Sequence, residues 1–374
     1  MPRHNLSLLL ARVHELGAVS RSQLTKDTGL NRSTIGALVT ELVELGLVVE
    51  TEPDPTRLVG RPSPVIVPSK QTVAIAVNPE LDAVEVAIVG LGGVVLARSR
   101  RATGSTPTVQ AAVDLTVQQI RALLSVPETA YRVVGIGLAV PGLVRAADGI
   151  VALAPDLDWR DAPIAELIGE ATGFHTLAAN DATLGAIAEH VRGAGRGYED
   201  LIYVNGGASG IGGGIVVGGA VLGGVSGFAG ELGHTLVNSA GRLCHCGSTG
   251  CLETEVRREP LLKALELNTA RARRVIERQR DYLASALANA VNLFNPELIV
   301  LGGFLATLYE TDPARLQQLV HGSALQGPRD DAQLSSAQLG SDTLMIGAAE
   351  LVFSRLIADP AGTLPAATLG ARRE

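Results

Sequence analysis

Apolar residues recur at two different spacings along this chain of 374 residues, and the change from one spacing to the other divides it. Near the beginning, Leu6, Leu9, Leu10 and Val13 recur every three or four positions, as on one face of an α-helix. From residue 71 onward, short apolar runs of strand type alternate with helical stretches, the pattern of α/β proteins. The sequence therefore predicts a helical head, residues 1–70, followed by a larger α/β body.

Capping signals predict two further helices in the head. Ser20 followed by Gln23 resembles a capping box that begins a short second helix. Thr28 and Gly29 supply a turn, after which Asn31 can cap a third helix. The apolar stripe of that third helix consists of Ile35, Leu38, Val39, Leu42 and Leu45.

The order of elements in the head points to a DNA-binding module. Two β-prone runs, 47–49 and 65–67, follow the helices and are joined by a proline-rich segment that predicts a hairpin and a linker. Helix, turn, helix and hairpin is the layout of a winged helix-turn-helix, whose third helix enters the major groove. A helical packing or oligomerisation module is the alternative. The candidate DNA contacts are Arg32, Ser33, Thr34 and Thr40 in the major groove and Arg61 in a neighbouring minor groove.

The body carries the signals of a mixed sheet with covering helices. Its candidate strands are 73–77, 84–89, 133–138, 201–204, 214–217 and 298–301. Its candidate helices are 109–124, 182–191, 271–294 and 346–356. Glycine-rich loops follow several of these strands, where α/β proteins bind small ligands.

Composition and charge narrow the class of protein. A hydrophobic fraction of 46% excludes a disordered chain, and the net charge of −7 argues against a general polyanion binder. The head is close to neutral, and it has no acidic residue from Asn31 to Thr40, as a DNA-facing surface requires. No signal peptide or membrane-spanning segment is apparent in the sequence, so we expect a cytoplasmic protein that does not enter a membrane.

All the cysteines lie close together. Cys244, Cys246 and Cys251 are too few and too close for a disulfide framework, and His234 precedes them. One imidazole and three thiolates complete a four-coordinate structural Zn²⁺ site. His245 competes as a ligand, but crowding between two ligating cysteines disfavours it. Three small core cysteines are the alternative interpretation.

The segment from Gly227 to Glu253 resembles the ROK family, which is named for repressors, open reading frames and sugar kinases. Three more motifs and the late segment 295–303 share the resemblance, which covers nearly the whole chain. The three motifs are Ala139-Val140-Pro141-Gly142, Asp156-Leu157-Asp158-Trp159 and Asn180-Asp181-Ala182. The resemblance implies an actin-like, ribonuclease H-like pair of α/β lobes behind the winged head. It places the head at 1–70, a first lobe at 71–180 completed by a helix at about 345–358, and a second lobe with the zinc site at 181–344.

The resemblance also implies a sugar site in the cleft between the lobes. Each carboxylate or amide there can form hydrogen bonds with two adjacent hydroxyls of a pyranose. His234 serves twice, with one ring nitrogen on zinc and the other on a sugar hydroxyl. Taken alone, Asn180 and Asp181 are better explained as a helix cap, and it is the zinc segment that favours a sugar site. The implied sugar contacts are Asn180, Asp181, Glu231, His234 and Glu253.

In kinases of the family, the aspartate that corresponds to Asp181 is the general base. It takes the proton of the sugar hydroxyl that attacks the γ-phosphate of ATP. These kinases also carry an Asp-x-Gly-Gly-Thr loop for phosphate, where this chain has Ala-Val-Asn-Pro-Glu at 76–80. Pro79 removes a backbone N–H, and Glu80 repels phosphate. A second loop, 207–214, keeps its glycines, although a tightly packed hairpin explains it as well. The sequence thus argues against ATP as a cofactor and against an enzyme.

These inferences lead to a sugar-responsive transcriptional regulator, expected to act as a repressor. Its expected partners are operator DNA and a monosaccharide or sugar derivative, and we expect a homodimer or homotetramer. The first alternative is an active sugar kinase with a DNA-binding domain, in which Asp181 is catalytic. The second is a zinc-dependent scaffold that binds no sugar.

Overall fold

The computed structural model describes residues 2–52, 63–126, 130–267 and 269–362, so Arg61 lies outside the described residues. The head combines helices with a small antiparallel sheet. In chain order its elements are α1 (Pro2–Leu16), β1 (Val19–Ser20), α2 (Arg21–Thr28), α3 (Arg32–Glu44), β2 (Val48–Thr51) and β3 (Val65–Pro68). Strand β3 lies between β1 and β2 and is antiparallel to both.

Both capping predictions in the head are confirmed. The Ser20 hydroxyl accepts a hydrogen bond from the backbone N–H of Gln23 at 3.1 Å, at the start of α2. The Asn31 side chain accepts from the backbone N–H of Thr34 at 2.9 Å, at the start of α3. Within the predicted stripe of α3, the side chains of Ile35, Leu38, Val39 and Leu42 are buried. The pattern of the sequence thus places α3 with one face on the core and the other toward solvent.

The next part of the chain forms a mixed sheet with helices on it. Its elements are β4 (Thr72–Pro79), β5 (Ala83–Gly90), β6 (Val94–Ala102), α4 (Val109–Leu124), β7 (Arg132–Val140), β8 (Leu143–Val144), β9 (Val151–Ala154), β10 (Trp159–Ala162), α5 (Ile164–Thr172) and β11 (Thr176–Asn180). The first sheet has the order β11-β7-β4-β5-β6. Strands β8, β9 and β10 form a small separate sheet beside it. The predicted strands and the predicted helix at 109–124 are confirmed in this part.

The remaining elements build a second mixed sheet. They are α6 (Asp181–Arg192), β12 (Leu201–Gly206), β13 (Ile211–Val217), β14 (Ala220–Val221), α7 (Leu252–Glu255), α8 (Arg258–Leu267), α9 (Ala270–Phe294), β15 (Leu298–Gly302), α10 (Gly303–Thr311), α11 (Pro313–Ser323), α12 (Gln326–Asp331), β16 (Gln333–Ser336) and α13 (Thr343–Ala358). The sheet has the order β14-β13-β12-β15-β16, with a hairpin at β12–β13 and parallel strands after it. The predicted strands and helices of this part are confirmed, with ends shifted by up to three residues.

Two helices connect the parts of the molecule. Helix α6 packs against strands of both sheets and against α13. Helix α13 returns to the first sheet, where it covers β4 and β7 and also contacts α1 of the head. One hydrophobic core joins the head, α13 and one face of the first sheet, and includes Leu10, Ala76 and Phe353. The domain limits near residues 70, 180 and 344 stay predictions.

No helix in the described ranges is long and apolar enough to span a bilayer.

Candidate functional site

A cavity of about 560 Å³ opens where loops from both sheets meet, and we call it the central cavity. Its wall includes the end of β11, the start of α6, the β12–β13 hairpin and the loop that precedes α7. The ROK resemblance implied a ligand site from residues as far apart as 180 and 253, and the structure brings these residues to one cavity. The five predicted sugar contacts all line it, namely Asn180, Asp181, Glu231, His234 and Glu253.

Asn180 and Asp181 stand where β11 ends and α6 begins. Asn180 caps α6 by accepting from the backbone N–H of Thr183 at 3.0 Å, and its amide donates to the carbonyl oxygen of Gly142 at 3.0 Å. Asp181 accepts from the backbone N–H of Ala182 at 2.8 Å. Burial raises the pKa of Asp181 to about 6. The helix-cap function is therefore real for Asn180, and it fixes the direction of both side chains toward the cavity.

Glu231, His234 and Glu253 face one another on the opposite wall. His234 presents Nε2 to Glu231 Oε2 at 3.9 Å and Nδ1 to Glu253 Oε1 at 3.5 Å. The Glu253 side chain is only 10% exposed, whereas the Glu231 side chain is 40% exposed. Burial raises the pKa of Glu231, partly opposed by His234 and reinforced by Glu253. Carboxylate oxygens and an imidazole nitrogen thus converge on a space that suits a molecule with many hydroxyl groups.

The predicted zinc ligands form a single cluster. The ligating atoms of His234, Cys244, Cys246 and Cys251 all lie within 4.8 Å of one another. Cys244 Sγ is 3.6 Å from His234 Nδ1, and Cys246 Sγ is 3.7 Å from Cys251 Sγ. Residues 235–250 form loops and isolated bridges, so the cluster sits where the chain has little other support. The donor set and its setting fit a metal that cross-links a loop.

A second group of donors overlaps the first. His234, Cys244, His245 and Glu253 also bring their ligating atoms within 4.8 Å of one another. His245 Nδ1 is 3.2 Å from Glu253 Oε1 and 4.0 Å from Cys244 Sγ. His245 is thus a candidate ligand in this second group, and it also lines the central cavity.

Several polar residues of the cavity wall have no role assigned from the sequence. Asp156, Arg160 and Asn205 line the central cavity together with the predicted set. Burial raises the pKa of Asp156, and Glu253 adds to the rise while His245 opposes it. Asp156 belongs to one of the motifs that carry the resemblance to the ROK family, but the motif gave it no predicted role. Nothing in the spacing of Asn205, in the middle of a glycine-rich hairpin, marks it as a cavity residue.

The turn between β4 and β5 follows Pro79 and includes Glu80, which the ROK resemblance aligns with the first phosphate loop of the kinases. Glu80 accepts from Arg100 Nε at 3.0 Å, and Arg100 also pairs with Asp82 at 2.9 Å. The backbone N–H of Glu80 donates to the carbonyl oxygen of Ala83 at 2.8 Å and closes the turn. Pro79 offers no N–H. The backbone N–H of Glu80 is therefore already used, and the turn carries two carboxylates.

The second glycine loop forms the β12–β13 hairpin between two cavities. Gly207 donates from its backbone N–H to the carbonyl oxygen of Gly210 at 2.8 Å. An adjoining open cavity of about 1070 Å³ shares this loop with the central cavity. Arg242, Arg257 and Lys263 line its outer wall, and none of them makes an ion pair among the described residues.

The head presents most of its predicted DNA contacts to solvent. Arg32, Ser33 and Thr40 are exposed on α3, and Thr34 is half-buried. The Ser33 hydroxyl donates to the Asn31 side chain at 2.7 Å, so it also supports the helix cap. The exposed face of α3 is therefore available to a partner.

Comparison with known proteins identifies the chain's relatives. The model of the ROK family matches residues 75–355. The chain belongs to the ROK family. The xylose repressor of Bacillus subtilis (strain 168) is 27% identical over 374 aligned residues, which cover 94% of this chain and 96% of that repressor. The glucokinase of Halalkalibacterium halodurans is 33% identical over 251 residues, which cover 59% of this chain and 76% of that enzyme.

Solved structures similar to this chain also include both a ROK regulator and ROK kinases. A ROK family transcriptional regulator, described as a homologue of the E. coli MLC protein, has a TM-score of 0.77 at 25% identity. That likeness covers 95% of this chain and 97% of the regulator, and so includes the head. The ROK glucokinase of Streptomyces griseus, solved with glucose and AMPPNP, has a TM-score of 0.64 at 26% identity and covers 75% of this chain. The predicted ROK fold, two actin-like α/β lobes behind an N-terminal head, is confirmed.

Proposed function

We propose that this ROK protein is a sugar-responsive transcriptional repressor. The observation that carries the proposal is the convergence of five polar side chains on the central cavity of a chain that also has a head. Similarity to the xylose repressor extends over 94% of the chain, whereas similarity to the glucokinase covers 59%. A kinase needs only the body, but a regulator needs both parts.

The central cavity binds a monosaccharide or a sugar derivative. Asp181 and Asn180 approach it from the start of α6, and Glu231, His234 and Glu253 approach from the other wall. A pyranose presents hydroxyls in several directions, so acceptors on two walls hold it more specifically than acceptors on one wall. Because the walls come from different sheets, a bound sugar stabilises one relative orientation of the two lobes.

Zinc is the metal that best suits the cysteine cluster. His234, Cys244, Cys246 and Cys251 would hold it, and three thiolates with one imidazole leave no open coordination position. The metal would supply rigidity to the loop before α7. With Nδ1 directed at the cluster, His234 keeps Nε2 directed at Glu231 and the cavity. The zinc ligand and the sugar contact are then one side chain with a fixed ring orientation.

The head binds operator DNA as a winged helix-turn-helix. Helix α3 enters the major groove with Arg32, Ser33, Thr34 and Thr40, and Arg61 contacts a neighbouring minor groove. A homodimer presents two such helices to a palindromic operator. Sugar binding changes their separation, so that they no longer match the two half-sites.

An active sugar kinase is the second candidate, and Asp181 is the observation that favours it. A buried carboxylate with a pKa of about 6 is suited to accept a proton from a sugar hydroxyl. The β4–β5 turn opposes this function, because the resemblance aligns it with the phosphate loop of the kinases. Here it carries the carboxylates of Glu80 and Asp82, and the backbone N–H of Glu80 is already used. We therefore propose that the chain does not transfer phosphate efficiently.

Three measurements test the proposal. A gel shift with the protein's own upstream DNA, with and without glucose, mannose, N-acetylglucosamine or xylose, should show binding that one sugar changes. Absence of a shifted fragment at moderate salt would overturn the repressor. Coupled ADP release with ATP and the same sugars should stay at background, and turnover of about 1 s⁻¹ or faster would establish the kinase instead. If none of the sugars changes the melting temperature of the protein, the result would favour a scaffold without a sugar site.

A further inference from the structure

Helix α6 connects the central cavity to the head. At its beginning, the cap residue Asn180 and Asp181 line the cavity. At its end, Arg192 contacts α1 of the head. The helix has 12 residues, which at about 1.5 Å per residue corresponds to about 18 Å. One short helix therefore touches both places that a ligand-controlled DNA-binding protein must connect.

Arg192 holds the last turn of α1. Its Nη1 donates to the carbonyl oxygens of His14 at 2.5 Å and Glu15 at 3.1 Å. Carbonyls in the last turn of a helix have no partner within the helix, and a cation there complements the helix dipole. Arg192 Nε also donates to Glu350 Oε1 of α13 at 3.1 Å. The guanidinium thus joins three helices at one point.

His14 completes this polar group from the side of the head. Its Nε2 lies 2.8 Å from Glu350 Oε2, and the two side chains are 3% and 5% exposed. The backbone N–H of Gly92 donates to His14 Nδ1 at 2.9 Å. Because a backbone N–H can only donate, Nδ1 is the acceptor, and the ring proton lies on Nε2, facing Glu350. We call Arg192, Glu350 and His14 the head latch.

Buried ionic groups of this kind favour one orientation over others. Burial alone would raise the pKa of Glu350, but His14 and Arg192 hold it below its ordinary value. Separating the members of the latch would leave charges buried without partners, which is strongly unfavourable. Among the described residues, Arg192 Nη2 has no hydrogen-bond partner. The present arrangement thus leaves one donor free for another orientation of α1.

Helix α6 is closely packed against its neighbours. A methyl group added at Gly347 of α13 would overlap the carbonyl oxygen of Leu184, so the backbones of α6 and α13 touch. Glu189 of α6 is fully buried and accepts from the backbone N–H groups of Gln338 and Leu339 at 3.0 to 3.1 Å. Close packing on several sides transmits a displacement along the helix instead of absorbing it.

We propose that the head latch is the set of positioning residues through which the central cavity controls the head. Occupation of the cavity at Asn180 and Asp181 shifts α6, and Arg192 carries that shift to the end of α1. The orientation of α3 on DNA then changes with the orientation of α1. This inference rests on the proposed function of a sugar-responsive repressor.

The test compares coupling with binding in the full chain. Operator affinity is measured without sugar and with a saturating amount of whichever of xylose, glucose, mannose and N-acetylglucosamine stabilises the protein in a thermal shift. In wild type the ratio of the two affinities is expected to be tenfold or more. In Arg192→Gln the ratio should fall below twofold, while sugar affinity stays within threefold of wild type. Glu350→Gln should give the same result and serves if Arg192→Gln does not fold.

A matched control separates coupling from the cost of removing a buried arginine. Arg280 of α9 is also buried, and it pairs with Glu277 and Thr311 far from the head. Arg280→Gln should keep the wild-type ratio. Hydrogen exchange gives a second readout, because sugar should change protection in α1 of wild type and of Arg280→Gln but not of Arg192→Gln.

The outcomes distinguish the two proposals. A wild-type chain whose operator binding ignores every sugar overturns the proposed function, and this inference with it. A wild-type chain that responds, together with Arg192→Gln and Glu350→Gln variants that respond equally, overturns the inference alone. Loss of coupling in Arg280→Gln as well would reduce the latch to a general structural role.

Discussion

A methyl group added at Gly137 would overlap the carbonyl oxygen of Ala348, so β7 and α13 are in backbone contact. The two residues are far apart in the sequence, and their contact attaches the last helix to the first sheet. This attachment places Glu350 of the same helix beside the head. The glycine is therefore a requirement of the architecture, since any other residue would push α13 away from the sheet.

Replacement of Gly137 should destabilise the fold. Gly137→Ala forces α13 outward, and we expect the free energy of unfolding to fall by about 2 kcal/mol, as for overpacked cores. Denaturant titration measures this change. Gly322→Ala is the control, because Gly322 lies in α11 and an added methyl group there would meet no atom within 4 Å apart from its chain neighbours and the backbone of its own helix. Equal stability of the two variants would contradict the role of close packing.

Loss of one thiolate should release the metal. In Cys246→Ser we expect the zinc content to fall from about one ion per chain to near zero, because three donors hold Zn²⁺ far more weakly than four. Elemental analysis of purified protein measures this content, and the melting temperature should fall with it. Ser239→Ala, in the same loop, is expected to retain the metal. Unchanged zinc in Cys246→Ser would remove that residue from the ligand set.

Sugar affinity should depend on pH through Asp181. The ionised carboxylate can accept hydrogen bonds from two hydroxyls through its two oxygens, whereas protonation turns one oxygen into a donor, and burial raises the pKa of Asp181 to about 6. Affinity should therefore be full above about pH 7 and fall by about tenfold near pH 5, where about one tenth of the groups are ionised. Calorimetric titration across this range measures the effect. Asp181→Asn should bind weakly at every pH, and a variant with the same pH profile as wild type would assign the titration elsewhere.

Arg32 should supply part of the affinity for DNA. Arg32→Ala removes an exposed charge at the start of α3, and we expect operator binding to weaken by about tenfold or more. The slope of affinity against salt should also decrease by about one if Arg32 contacts a phosphate, and stay unchanged if it reads a base. Arg315→Ala, an exposed change on α11, is the control. Undiminished operator binding by Arg32→Ala would exclude this face of α3.

The sequence predicts best those elements whose signals are local. Helix α4 has the predicted limits of 109–124 because Thr108 caps it, accepting from the backbone N–H of Ala111, and its apolar stripe is regular. Strand β6 escaped prediction because residues such as Arg98 and Arg100 interrupt its apolar positions. Charged pairs with Glu85 and Glu80 support these arginines on the sheet, and such pairs are invisible in one strand alone.

The candidate site likewise contains residues that local sequence signals predict and residues that they do not. The short spacing of the three cysteines in the sequence predicts a metal cluster. In the structure their sulfur atoms lie close to one another and to a ring nitrogen of His234. Resemblance to the ROK family gave the five predicted cavity residues. Only the three-dimensional structure shows that Asp156 and Asn205 line the same cavity. Arg192, His14 and Glu350 carry no motif, since a buried polar group assembled from three helices depends on the whole fold.

The shared core of the head and α13 has a consequence for how the protein is made. Ser7 of α1 donates to the carbonyl oxygen of Ala358 at 2.9 Å, so the first and last described helices complete each other. During synthesis the ribosome releases α1 long before α13, so the apolar face of α1 is left without this partner until α13 has been made. A nascent chain therefore has a head without its final support. The head therefore reaches its native packing only after both sheets between α1 and α13 have been made.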